Sequence, residues 1–204
     1  FLKNAADLGA DFGVVLPPSY FRAQMTDEVL FRYYSTVADR SPIPILLYNA
    51  PKFCGLTLSP ELVGRLAPHP NIVGIKDSAS SGVEAFIAFS SERFYVLAGS
   101  ISFLFPAMRA GAVGGTVSLA NSFPHIAVTL FQYDVTGNEK KGADYQAWAR
   151  RVNKVISGTY GVAGVKSAMD LNGFVGGIPR RPLLPRNEAQ RREQRATLVE
   201  EGVL

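Results

Sequence analysis

The chain has 204 residues, 47% hydrophobic and 19% charged, with a formal net charge of +4. That length suffices for one sizeable core, no stretch reaches the roughly 18 apolar residues that cross a bilayer, and a lone cysteine, Cys54, excludes an internal disulfide. The positive excess sits in PRRPLLPRNEAQRREQR (179–195), where glutamates interrupt the arginines and no aromatic is interleaved, which reads as a solvated helix face and not as a nucleic-acid footprint.

The opening FLKNAADLGA has a helical pattern ending at Gly9, without the charged and apolar regions of a signal peptide. Apolar runs follow at FGVVLP (12–17), IPILLYN (43–49), NIVGIKD (71–77), FYVLAGS (94–100) and GGTVSLAN (114–121). They are nearly continuous in Val, Ile and Leu, as in strands buried on both faces. Helical segments separate them. TDEVLFRYYSTVADRS opens with Thr26 as a cap and two acids in the first turn, and SPELVGRLAPH opens with Ser59 as a cap and Pro60 at the first helical position. GVEAFIAFSS and SFLFPAMRAGA are further helix candidates; beyond residue 121 the chain reads as helical. Strand–helix alternation predicts βα units and a parallel sheet. Five such units fit either part of a barrel or a doubly wound sheet.

Lys76 ends the third apolar run. Strict alternation places Ile72, Gly74 and Lys76 on one face, with Gly74 removing bulk beneath the lysine, and Asp77 turned away. Strand carboxyl ends are where reacting groups gather in such folds. An amine that attacks a carbonyl must be neutral, a state favoured by desolvation at an apolar strand end; the alternative is a rim lysine with its head in water. Tyr48 ends the preceding run and reaches the same rim, as a proton carrier or as a ring capping the core. Gly99 and Gly114–Gly115 open space at later strand ends, for a bound keto acid, a phosphate, or close backbone packing. His69 and His125 lie beside prolines, and no set of residues has metal-ligand spacing.

SPIPILLYNAP, HPNIVGIKDS, VLAGS and GAVGGTVSLAN, in this order, resemble the dihydrodipicolinate synthase/N-acetylneuraminate lyase family, most closely its 4-hydroxy-2-oxoglutarate aldolase branch; PPSYFRAQM and GVAGVKSAMDLNGFVGG extend the match over essentially the whole chain. The resemblance implies a (β/α)8 TIM barrel of which strands four to eight and a C-terminal helical extension are present, divided as 1–130 and 131–204. It implies a cofactor-free, metal-free class I lyase acting on a small 2-oxo acid of the pyruvate type. By the same resemblance Lys76 is the Schiff-base lysine and Tyr48 the proton relay, Gly99 and Thr116 line the keto-acid pocket, and Tyr20 stands in the place of a relay tyrosine. A homo-oligomer, dimer or tetramer, with no nucleic-acid or membrane partner, and a cytoplasmic or mitochondrial matrix location are implied with it.

Three departures qualify the resemblance. The family's first three strands, with the loop that holds the pyruvyl carboxylate, are missing from this sequence, so the chain is expected to be inactive by itself unless that part exists in the real molecule. NAPKFCG puts Phe53, with Lys52 beside it, where lysine-pathway synthases carry an arginine, and the family's paired tyrosines become Tyr20–Phe21. The expectation is 4-hydroxy-2-oxoglutarate cleavage to pyruvate and glyoxylate. A 2-keto-3-deoxy sugar acid aldolase, a dihydrodipicolinate synthase-like condensing enzyme, and a non-catalytic partial barrel acting as a structural or regulatory partner are the alternatives.

Overall fold

The computed structural model of the protein describes residues 1–79 and 83–204. The chain divides into two compact units, Phe1–Gly99 with Arg109–Thr116, and Ser100–Met108 with Val117–Leu204. The first unit holds one sheet of five strands: β1 (Gly13–Val15), β2 (Ile45–Asn49), β3 (Ile72–Asp77), β4 (Tyr95–Ala98) and β5 (Gly114–Gly115). They lie side by side in chain order, each parallel to the next. This is the βα sheet expected from the rhythm of apolar runs.

The helices of this unit are α1 (Leu2–Asp7), α2 (Asp27–Arg40), α3 (Pro51–Cys54), α4 (Pro60–Leu66) and α5 (Val83–Ile87). Thr26 and Ser59 cap α2 and α4 by accepting from Val29 N and Leu62 N, as their sequences predict. The candidate GVEAFIAFSS is helical over Val83–Ile87; its Gly82 lies outside the described residues. Ser59 also donates to Asp27 Oδ2, tying the start of α4 to the start of α2. Ser59→Ala removes both bonds and is expected to lower stability by about 1–2 kcal/mol, read as a shift in urea midpoint at constant slope.

In the second unit, α6 (Leu104–Ala110) starts in one segment, and α7 (Pro124–Val135), α8 (Glu139–Asn153), a π turn (Lys154–Gly158), α9 (Thr159–Leu171) and α10 (Glu188–Glu200) follow in the other. Buried Gln146 of α8 donates to Ile101 O and accepts from Phe105 N, satisfying backbone groups that would otherwise be stranded. A capping box, Asn187 with Gln190, starts α10. Among the described residues no helix is long and apolar enough to cross a membrane.

Two expectations are corrected. The run GGTVSLAN is strand only at Gly114–Gly115; its ladder ends where Thr116 N donates to Ala98 O at 2.8 Å, and Ser118–Asn121 form a 3₁₀ turn. Asn121 Nδ2 donates back to Ser118 O at 3.0 Å, a local bond that competes with the ladder. The second correction concerns β3. Ile45 pairs with Ile72 but Leu46 pairs with Gly74, so Val73 is an extra residue in the register. A bulge of this kind moves everything after it to the opposite face. Ile72 therefore shares the face of Ile45, whereas Gly74 and Lys76 share the face of Leu46 and Tyr48.

The two faces differ. Leu47, Ile75 and Val96, in register on one face, are wholly buried. On the other, Leu46 and Gly74 are buried, Tyr48, Lys76 and Leu97 are partly open, and Val14 and Tyr95 are exposed. The Gly74 clearance serves the neighbouring strand: a Cβ there would run into Tyr95 O and stand 3.0 Å from Tyr95 C. The glycine admits backbone, not a ligand beneath the lysine.

Candidate active site

The sheet places Tyr48 directly opposite Lys76 in register, one residue before each strand ends. The Lys76 Nζ lies 4.4 Å from the centroid of the Tyr48 ring. Both side chains are partly buried. An amine and a phenol side by side at strand carboxyl ends are equipped for addition to a carbonyl with proton transfer.

The other sequence candidates take different places. Gly99 N donates to Asp77 O at 2.6 Å, and a Cβ at Gly99 would stand 2.7 Å from that same oxygen and 2.9 Å from Ser78 Cβ. Its bareness lets the ends of β3 and β4 meet, the close-packing alternative among the readings of this glycine. Thr116 carries the last hydrogen bond of the β4–β5 ladder through its backbone and leaves its side chain exposed. Tyr20 is 90% exposed, its ring edge-on to Phe21 at 4.9 Å, and takes no part in the Lys76–Tyr48 pair. Phe53 lies on the short helix α3 that follows β2, and is exposed.

Asn49 escaped the sequence reading. It stands opposite Asp77, one step beyond Tyr48 and Lys76, with both side chains on the buried face at 1% and 0% exposure. Asn49 Nδ2 donates to Asp77 Oδ1 at 2.7 Å, while Asn49 Oδ1 accepts from Leu58 N at 3.0 Å. Asp77 Oδ1 also accepts from Ala79 N at 3.1 Å. Burial pushes the Asp77 carboxyl above its ordinary range, against the lowering effect of those two hydrogen bonds and with a smaller upward push from Glu84. The signal available in the sequence was the repeated ending, an uncharged or charged polar residue after each of Tyr48 and Lys76 in LLYN and GIKD.

His69 serves a turn: its Nδ1 accepts from Asn71 N at 3.1 Å and its Nε2 lies 3.1 Å from Asp39 Oδ1. Among the described residues no group of three or more His, Cys, Asp or Glu side chains is placed to hold a metal ion.

Comparison with known proteins adds three findings. The family model of the dihydrodipicolinate synthetase family matches residues 1–201. A 4-hydroxy-tetrahydrodipicolinate synthase from an Exiguobacterium strain is 35% identical over 90% of this chain and 62% of its own length. A relative in Emericella nidulans, named as a probable mitochondrial 4-hydroxy-2-oxoglutarate aldolase, is 33% identical over 88% of this chain and 59% of its own. The chain thus spans about three fifths of the length of these two curated relatives. Among solved structures, Escherichia coli YagE in complex with pyruvate aligns with a TM-score of 0.89 at 27% identity, over 99% of this chain and 70% of that one.

Proposed function

We propose that the chain, which belongs to the dihydrodipicolinate synthetase family, carries the Schiff-base centre of a pyruvate-dependent aldolase that cleaves 4-hydroxy-2-oxoglutarate. The observation that carries the reading is the Lys76–Tyr48 pair, an amine 4.4 Å from the centre of a phenol ring at paired strand ends. Neutral Lys76 Nζ adds to the C2 carbonyl, and loss of water from the carbinolamine gives an iminium. The Tyr48 hydroxyl takes the C4 hydroxyl proton while passing its own proton on to solvent as the C3–C4 bond breaks; the bonding pair moves into the iminium, giving an enamine and releasing glyoxylate. Protonation at C3 and addition of water then return pyruvate and the free amine. The protein's share is alignment and control of two protons.

Phe53 in the position where lysine-pathway synthases carry arginine supports cleavage of an oxo acid over condensation with an aldehyde-bearing amino acid. A 2-keto-3-deoxy sugar acid is the second substrate class, supported by a relative in Hypocrea jecorina named L-threo-3-deoxy-hexylosonate aldolase, 33% identical over 98% of this chain. Self-association into a homo-oligomer belongs to the same reading.

The test is to incubate the full chain with pyruvate and borohydride, digest it and identify the modified peptide by mass. A reduced pyruvyl adduct on the Lys76 peptide supports the reading; an adduct elsewhere, or none, overturns it. Tyr48→Phe keeps the ring beneath the amine and deletes the hydroxyl. It is expected to retain trapping while lowering the rate of cleavage about 10²–10⁴-fold, measured as pyruvate release.

A further inference from the structure

The geometry points to Asn49 and Asp77 as positioning residues that hold Lys76 and Tyr48 in alignment from the opposite face of the sheet. This rests on the Schiff-base reading and adds to it two side chains that touch neither substrate nor amine.

In the register, Tyr48 faces Lys76 and Asn49 faces Asp77, consecutive rungs of one parallel pair. Alternation sends the first rung to the partly open face and the second to the buried face. Backbone bonds alone leave the ends of two parallel strands free to fray, and both reacting groups sit one residue from such an end. The Asn49–Asp77 hydrogen bond of 2.7 Å closes that end with a side-chain crosslink.

The crosslink is directional. Asn49 Oδ1 is fixed by Leu58 N, so Nδ2 is the atom left to face Asp77. Asp77 Oδ1 takes a second bond from Ala79 N, fixing the turn that leaves β3. The backbone repeats the closure: Ser78 N donates to Asn49 O at 2.8 Å and Gly99 N to Asp77 O at 2.6 Å. Three strand ends are thereby laced together one residue beyond the amine.

A purely structural filler would not look like this. Asp77 Oδ2 is buried without a hydrogen-bond partner among the described residues, an arrangement that works against stability. An apolar pair of similar volume would fill the same space without that penalty. What Asn49 and Asp77 supply that apolar residues cannot is a fixed angle between the strand ends. A displacement of about 1 Å at a reacting group can cost about 10²-fold in rate.

The test compares the unaltered full chain with Asn49→Ala, Asp77→Ala, Asp77→Asn, and the swap Asn49→Asp with Asp77→Asn. For each, the initial rate of borohydride trapping at Lys76 is measured against pyruvate concentration, alongside thermal unfolding. Both alanine variants are expected to lose about 10–100-fold in trapping rate at saturating pyruvate, with half-saturation shifted by no more than about threefold. Asp77→Asn keeps the acceptor oxygen, and the swap rebuilds the bond with donor and acceptor exchanged; each is expected to trap within about threefold of the unaltered chain. These two rescues keep the test decisive if an alanine variant fails to fold. Folded alanine variants that trap at the unaltered rate, or Asp77→Asn and the swap both remaining as slow as Asp77→Ala, overturn the positioning role alone. Absence of any adduct on the unaltered chain overturns the Schiff-base reading and the positioning role with it.

Discussion

Lys76→Arg and Lys76→Ala are both expected to lower oxo-acid cleavage by at least about 10³-fold and to abolish the borohydride-trapped adduct, with little change in the unfolding midpoint. The arginine variant is the more informative. Its guanidinium retains the positive charge, reaches a similar distance, and stacks on the Tyr48 ring at least as well as an ammonium. What it lacks is a nitrogen that loses its proton and forms an iminium. If Lys76 served only to place a cation beside a carboxylate-bearing substrate, Lys76→Arg would keep a large part of the activity. Pyruvate release by the two variants, followed with saturating substrate, decides between the roles. Retention of more than about a tenth of the activity in Lys76→Arg removes the covalent mechanism.

Gly74→Ala is expected to be the most damaging single methyl in the sheet. The added Cβ has no side chain to push aside; it meets the carbonyl of Tyr95, the residue paired with Gly74 across β3 and β4. Relief requires the strands to separate at the rung that leads to Lys76 and Leu97. Overpacking a core costs about 1–3 kcal/mol where side chains can yield, and a backbone obstacle belongs at or above the upper end, about 3 kcal/mol. For a chain of this size that corresponds to a fall of about 6–12 °C in melting temperature. A change of less than about 0.5 kcal/mol, measured by urea unfolding, means that β3 and β4 do not approach this closely.

Much of this architecture was legible in the sequence, because its cause is local. Runs such as ILLYN and IVGIKD are apolar on both faces, the pattern of strands in a parallel βα sheet. Caps at Thr26 and Ser59 read correctly because an N-cap needs only a hydroxyl before a helical run. That Lys76 and Tyr48 reach one rim was legible from their equivalent places at strand ends; their direct pairing depends on the irregularity at Val73.

What escaped depends on contacts between distant segments. The irregularity at Val73 leaves no mark in a pattern where every residue from 71 to 75 is compatible with a buried strand, so strict alternation assigned Ile72 to the wrong face. Gly74 reads as room for a side chain or ligand beneath the lysine because a sequence does not reveal that Tyr95 comes to occupy that space. Asn49 passed unnoticed since its meaning lies wholly in a partner 28 positions away. Tyr20, whose place in the motif rests on resemblance, is exposed in this chain with Phe21 as its ring neighbour.

The unpaired Val73 also sets a phase. Counted evenly from Ile45 and Ile72, Asn49 would meet Lys76 and Tyr48 would meet Ile75. The amine and the phenol would then point to opposite sides of the molecule, though every residue around them were unchanged. One surplus residue, with no functional group of its own, acts as the half-turn of a screw that brings two reactive tips to the same side.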